Sequence, residues 1–149
     1  MIAVDTNILL YADREETPQH RAALRAVRRL AEGNEAWAVP VQCIGEFLRV
    51  VSHDRVFHPP TPIDEALTSI ESLLASPSVR VLSPGSRYLR LLRDVIEQSG
   101  VRGNLLFDAQ IAAVCLEHGA STLLTEDRDF TRFEGIRSLS LAAFLSERP

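Results

Sequence analysis

Short apolar runs alternate with segments of helical periodicity along the whole chain. The runs are residues 2–4, 36–39, 79–82 and 122–125, with a last short one at 136–139. Helical segments lie between them at 7–12, from Pro18 to Glu32, and at 41–53, 63–75, 85–98 and 105–118, with a final helical turn at 141–146. Ile44, Phe47, Leu48 and Val51 fall at i, i+3, i+4 and i+7, and Ala23, Val27, Leu30 and Ala31 line one face of the preceding helix. Strands that alternate with helices pair in parallel, because each helical crossover carries the chain back to the same end of the sheet. The pattern therefore predicts an α/β fold with a parallel sheet, with residues 1–149 as one domain. The stiff connector Phe57-His58-Pro59-Pro60-Thr61-Pro62 reads as a loop inside that domain, since the segments on both of its sides are needed to complete the sheet.

Composition narrows the chemistry. The chain has no lysine: all sixteen cations are arginine. That excludes mechanisms built on a lysine, such as the Walker phosphate loop, Schiff-base catalysis and receiver-domain phosphorelay. Arginine remains, and its planar fork suits phosphate. A net charge of −4 rules out a basic wrapper of nucleic acid. No run reaches the length of a membrane span and the start has no signal-peptide pattern, so a cytoplasmic location without membrane contact is expected. Cys43 and Cys115 form no C-x-x-C pair and read as reduced core thiols. His20, His53, His58 and His118 show no metal-ligand spacing, and no nucleophile elbow or glycine-rich nucleotide loop is present.

Four acids stand out by position. Asp5 directly follows the first apolar run, and Asp127 follows the run ending at Thr125. In open parallel sheets, ligands sit outside the carboxyl ends of the strands, so neighbouring strands would aim both acids into one crevice. Each also has a plain reading: Asp5 as the cap of the helix starting at Asn7, and Asp127 as the opening of a turn. Asp108 shares the stripe Asp108, Ile111, Ala112 and Cys115 with core residues, in the first turn of its helix. The helix dipole favours an acid there by roughly 0.3–1 kcal/mol, whereas an unpaired buried carboxylate costs several. A cation or strong donors must compensate, Arg102 being one alternative partner. Glu46 lies with Gln42, Arg49 and His53 on the face opposite Ile44 and Phe47. Periodicity alone makes that a solvated face, and only the company of the other acids promotes Glu46. Asp129, two residues beyond Asp127, is placed to share an ion with it, while Glu126 is expected to face solvent. Thr6, Asn104 and Thr125 are candidates to orient the acids or their water. Carboxylates without a paired His or Cys select Mg²⁺ or Mn²⁺ over zinc.

These residues carry a family resemblance. Val4-Asp5-Thr6-Asn7-Ile8-Leu9-Leu10-Tyr11-Ala12, Glu46 with Phe47-Leu48-Arg49-Val50-Val51-Ser52-His53, Gly103-Asn104-Leu105-Leu106-Phe107-Asp108-Ala109, and Glu117-His118-Gly119-Ala120 with Thr125-Glu126-Asp127-Arg128-Asp129-Phe130 occur in that order. Together they resemble the motifs of PIN-domain ribonucleases of the VapC toxin type, from residue 2 to about 145. The resemblance implies a three-layer α/β/α sandwich, Mg²⁺ or Mn²⁺ dependence and endonucleolytic cleavage of RNA leaving a 3′-hydroxyl. It also implies homodimers and inhibition by a small VapB-type antitoxin. Asp5, Glu46 and Asp108 carry over as metal-binding acids, followed by Asp127 and then Asp129. The chemistry agrees with the residues: a divalent ion supplies activated water and charge compensation without a side-chain nucleophile.

Arg128 and Arg132, beside the acids, are candidates for substrate phosphate. Arg21, Arg25 and Arg28 share one helical face with Arg29 beside it, which reads as a solvated face or as a contact for RNA backbone or an acidic partner segment. Trp37 and Tyr11 are aromatic candidates for base stacking, though core packing is the simpler reading. Two rival functions fit part of the pattern. A non-catalytic module of the same fold would have lost acids that this chain keeps. A phosphatase of the haloacid-dehalogenase type needs a second Asp at the place of Asn7 and a lysine that is absent.

Overall fold

Ala3 and Val4 are fully buried because the strand they form, β1 (Ile2–Val4), has a parallel neighbour on each side. The computed structural model describes residues 1–146. After β1 come α1 (Thr6–Asp13), α2 (His20–Glu32), β2 (Trp37–Pro40), α3 (Val41–Val51), α4 (Ile63–Leu74) and β3 (Val79–Leu82). The chain continues with α5 (Tyr88–Ser99), α6 (Leu105–Glu117), β4 (Thr122–Leu124), a 3₁₀ turn at Arg128–Arg132, β5 (Arg137–Leu139) and α7 (Leu141–Ser146). The expected elements all form, most within two residues of their expected ends. The 3₁₀ turn was not foreseen.

All strand pairs are parallel, in the order β3-β2-β1-β4-β5. The chain winds from β1 outward to β3, then crosses back to β4 and winds outward the other way. The reversal lies between β1 and β4, the place where an open α/β sheet leaves a crevice. Helices cover both faces, giving the three-layer α/β/α sandwich. α1 packs on α2 and α3, α3 on α4, and α5 on α6. β2 is buried at every position, with Trp37 fully enclosed and its indole Nε1 donating to Ser78 Oγ at 3.2 Å. Trp37 is therefore core and not a stacking platform. The edge strands expose Arg80 and Arg137, charges that discourage further strand pairing.

Two arginines hold the periphery. Arg14 donates to Thr61 Oγ1 at 3.0 Å and to the Pro59 carbonyl at 2.9 Å, and stacks on Phe57 at 4.4 Å, which ties the proline-rich connector to the end of α1. Arg29 donates to the Phe144 carbonyl at 2.9 Å and lies 4.8 Å over the Phe144 ring, fastening α7 to α2. Arg29 is thus engaged, while Arg21, Arg25 and Arg28 stay exposed.

α5 begins at Tyr88 and not at residue 85, for a physical reason. The carboxylate of Glu117, at the end of α6, accepts hydrogen bonds from the Gly85 and Arg87 backbone N–H groups, each at 2.8 Å. These bonds hold residues 85–87 in a turn. A Cβ at Gly85 would lie 2.8 Å from Glu117 Oε1, so only glycine permits the approach. The Gly85 hydrogen bond above all lowers the Glu117 pKa. A depressed pKa means stability that is present above the ordinary acid range and is lost as pH falls through the folded-state value. Replacing Glu117→Ala should lower the urea midpoint with the slope unchanged, because two backbone donors lose their acceptor. An unchanged midpoint would exclude this clamp.

Candidate metal centre

The register of the two central strands builds the site. Val4 pairs with Leu124, so the next residues, Asp5 and Thr125, leave the sheet side by side. The Asp5 backbone N–H donates to Leu124 O at 3.1 Å, and the Thr125 N–H to Leu139 O at 3.0 Å, which fixes both exits. Asp5 then caps α1: its Oδ1 accepts the Thr6 N–H at 2.7 Å. The capping reading of Asp5 holds, and the same carboxylate also reaches the neighbouring strand. Its Oδ2 accepts from Asn7 Nδ2 and from Thr125 Oγ1, each at 2.7 Å.

Thr125 uses its full hydrogen-bonding capacity. Its hydroxyl donates to Asp5 and accepts from Asn7 Nδ2 and from the Asp127 N–H, both at 3.0 Å. Asp127 in turn caps the 3₁₀ turn by accepting the Asp129 N–H at 2.8 Å. That turn brings Asp129 back beside Asp127. Sequence reading missed Asn7 as a member of this network, although its place two residues beyond Asp5, at a strand end, was the available signal. Thr6 reaches the other way, donating from Oγ1 to Glu46 Oε2 at 2.8 Å. Glu46 therefore meets Thr6 beside the acids and does not lie on a purely solvated face. Its second oxygen lies 3.8 Å from Arg49 Nη2.

Oxygens of Asp108, Asp127 and Asp129 come within 4.8 Å of one another. Asp5 and Glu46 lie outside that group but close enough for their charges to bear on Asp108. No arginine or histidine nitrogen lies within 4 Å of the Asp108 carboxylate among the described residues, so the Arg102 pairing is not formed. Asn104 starts α6 with no side-chain capping bond and lines the cleft beside Asp108. Arg132 is committed to Asp129, with Nη2 2.7 Å from Oδ1. Arg128 is exposed and carries no ion pair among the described residues. Glu126 is exposed, as expected, and also caps α7 by accepting the Leu141 N–H at 2.6 Å.

The electrostatics are unfavourable without a cation. Two carboxylates about 4.8 Å apart repel by about 1 kcal/mol in open water and about 3 at the effective dielectric of a protein surface. The dipole of α6 contributes less than that. Burial, then the charges of Asp127, Asp5, Asp129 and Glu46, push Asp108 up to about 7. Burial also pushes Asp5 up to about 6 against the hydrogen bonds from Thr125 and Thr6, with Glu46 and Asp127 adding to the rise. An all-oxygen donor set of this charge fits a hard divalent cation. Alongside it runs an open cleft of about 700 Å³, lined by Gln42, Gly45, Glu46 and Arg49 of α3 and by Phe107, Asp108 and Ile111 of α6.

Known proteins share this architecture. The PIN domain family model matches residues 2–136. Ribonuclease VapC43 of Mycobacterium tuberculosis is 36% identical over 137 residues, covering 92% of each chain. Among solved structures, VapBC2 from Rickettsia felis, bound to a DNA fragment from its promoter, superposes with a TM-score of 0.67 at 20% identity, over 94% of this chain and 98% of that one. The Mycobacterium tuberculosis VapC20, a sarcin–ricin loop cleaving toxin, gives 0.66 at 19% identity over 92% and 99%.

The raised acids set a pH dependence. Asp5 and Asp108 hold their protons in the folded state to about 6 and about 7, against an ordinary value of 3.8. Between those limits the folded chain binds more protons than the unfolded one, so these groups make the metal-free protein less stable as pH rises. Millimolar Mn²⁺ should accordingly raise the melting temperature more at pH 8 than at pH 5, and Asp108→Asn should raise the metal-free melting temperature at pH 8 while blunting the Mn²⁺ effect. A melting temperature that Mn²⁺ leaves unmoved at both pH values refutes the centre.

Proposed function

This chain belongs to the VapC ribonucleases of the PIN-domain family, and from that premise we propose that it is a metal-dependent endoribonuclease, the toxin of a toxin–antitoxin pair. The observation that carries the reading is the convergence of Asp108, Asp127 and Asp129 within 4.8 Å at the switch point of the sheet, with Asp5 and Glu46 beside them. Asp5, Glu46, Asp108, Asp127 and Asp129 would hold Mg²⁺ or Mn²⁺. When bound, the ion supplies an activated water and neutralises charge building up on the phosphate.

The chain's own residues supply positioning. Thr125 and Asn7 lock the Asp5 carboxylate, and Thr6 links it to Glu46. The Asp127 cap sets the turn that carries Asp129, and Arg132 steadies Asp129 from outside. Arg128 is the better of the two nearby arginines for substrate phosphate, since its guanidinium is unpaired among the described residues. The whole of 1–149 is read as one PIN domain. The expected partners are an RNA substrate, a small VapB-type antitoxin and a second copy of the chain, with action in the cytoplasm. No helix among the described residues is long and apolar enough to cross a membrane.

The phosphatase alternative loses ground on Asn7, whose amide is committed to Asp5 and Thr125 where that chemistry needs a second acid. Purified protein mixed with labelled RNA, and separately with an aryl phosphate, should cleave only the RNA and only with Mg²⁺ or Mn²⁺. Asp5→Ala and Asp108→Asn should each reduce cleavage at least about a hundredfold, as loss of a metal ligand removes several kcal/mol of charge stabilisation. Both variants should still unfold cooperatively. RNA cleavage that survives in both overturns the assignment.

A further inference from the structure

The two walls of the cleft repeat one pattern. Gln42, Gly45, Glu46 and Arg49 of α3 stand at i, i+3, i+4 and i+7, and so do Asn104, Phe107, Asp108 and Ile111 at the start of α6. Each stripe thus carries an amide and, four residues on, an acid of the site. The residues between them, Gly45 and Phe107, have no explanation in the fold itself.

Gly45 lies mid-helix in α3, where glycine is the poorest helix former after proline. Its backbone does not take up the left-handed conformation. A Cβ built on it meets nothing within 4 Å, so no packing contact demands its absence. Alanine would fit the protein better, which leaves the space in front of Gly45 to something that enters the cleft. Phe107 presents the complementary anomaly. It is 64% exposed, directly precedes Asp108, and holds a large aromatic face in water at a cost to burial. Arg49, one turn beyond Glu46 and 3.8 Å from its carboxylate, has a side chain that is 66% exposed.

We propose that Gly45 and Phe107 form the base-binding subsite of this cleft: Phe107 stacks a nucleobase of single-stranded RNA next to the cleaved phosphate, and the missing side chain at Gly45 gives that nucleotide its room. The proposal rests on the nuclease reading and adds to it the two residues that receive a base. A base in a duplex has no free face for the ring, whereas an unpaired base stacks on it regardless of its identity. Asn104, exposed beside Phe107, offers an amide to base edges.

The test compares Gly45→Ala, Phe107→Ala and Phe107→Trp in the full-length protein with Mn²⁺. Substrates are single-stranded RNA octamers carrying one 2-aminopurine at successive positions, and the same octamers annealed to their complements. Gly45→Ala should raise the melting temperature by about 2–4 °C and yet raise KM about tenfold. Phe107→Ala should also raise KM about tenfold and abolish the 2-aminopurine quenching seen on mixing before cleavage, and Phe107→Trp should restore both. Annealed octamers should be poor substrates. Wild-type kinetics in Gly45→Ala and Phe107→Ala, with RNA still cut by the parent, overturn the subsite and leave the nuclease reading standing. A parent protein that cuts no RNA removes both. If Phe107→Ala instead lowers the mass of the protein in sedimentation and KM follows protein concentration, Phe107 is a contact between two copies of the chain and the subsite is wrong.

Discussion

The hydrogen bond from Thr125 to Asp5 joins residues 120 positions apart and depends on the parallel pairing of β1 with β4. Asp5 is 4% exposed, and a carboxylate that deep needs donors on most of its lone pairs. They come from Thr6, Asn7 and Thr125, so part of the support exists only once the two strands lie side by side. The same hydroxyl receives the Asp127 N–H and so sets the turn that returns Asp129. Burial of the first acid and assembly of the others are one event.

The remaining acids are a local conflict within an otherwise consistent fold. Asp108 opens a helix whose residues Ile111 to Cys115 are buried around the full circumference. Its place beside Asp127 and Asp129 runs against both desolvation and like-charge repulsion. Such conflicts persist where function needs them and where the surroundings are stable enough to carry them. Here the surroundings are a sheet buried at its centre and two helices anchored in the core.

The fold class was legible because apolar runs and helical stripes report burial directly, and the α5 boundary failed because no local pattern reveals a Glu117 carboxylate arriving from 30 residues away. Asp5 and Asp127 were legible from their places at strand ends, and Asp108 from its intrusion on an apolar stripe. Periodicity did not single out Glu46, which only the other acids and the family resemblance promoted, since an acid on a polar face looks the same whether it meets water or Thr6. Asn7 escaped notice because asparagine near a helix start has an ordinary explanation. Arg132 read as a contact for substrate phosphate and Glu126 as a solvent-facing acid, yet one holds Asp129 and the other, while exposed, caps α7, pairings that carry no periodic signature.

The two walls of the cleft stand on helices anchored in the core, by Cys43, Phe47 and Val51 on α3 and by Ala112, Ala113 and Cys115 on α6. Interiors packed to that density yield little, so the gap between the walls is as rigid as the hydrophobic interior behind it. Discrimination among ligands then resides in the identity of a few outward side chains, with no hinge to tune. A chain of this kind acquires a new preference by exchanging those few positions, and nothing that holds the molecule together has to change with them.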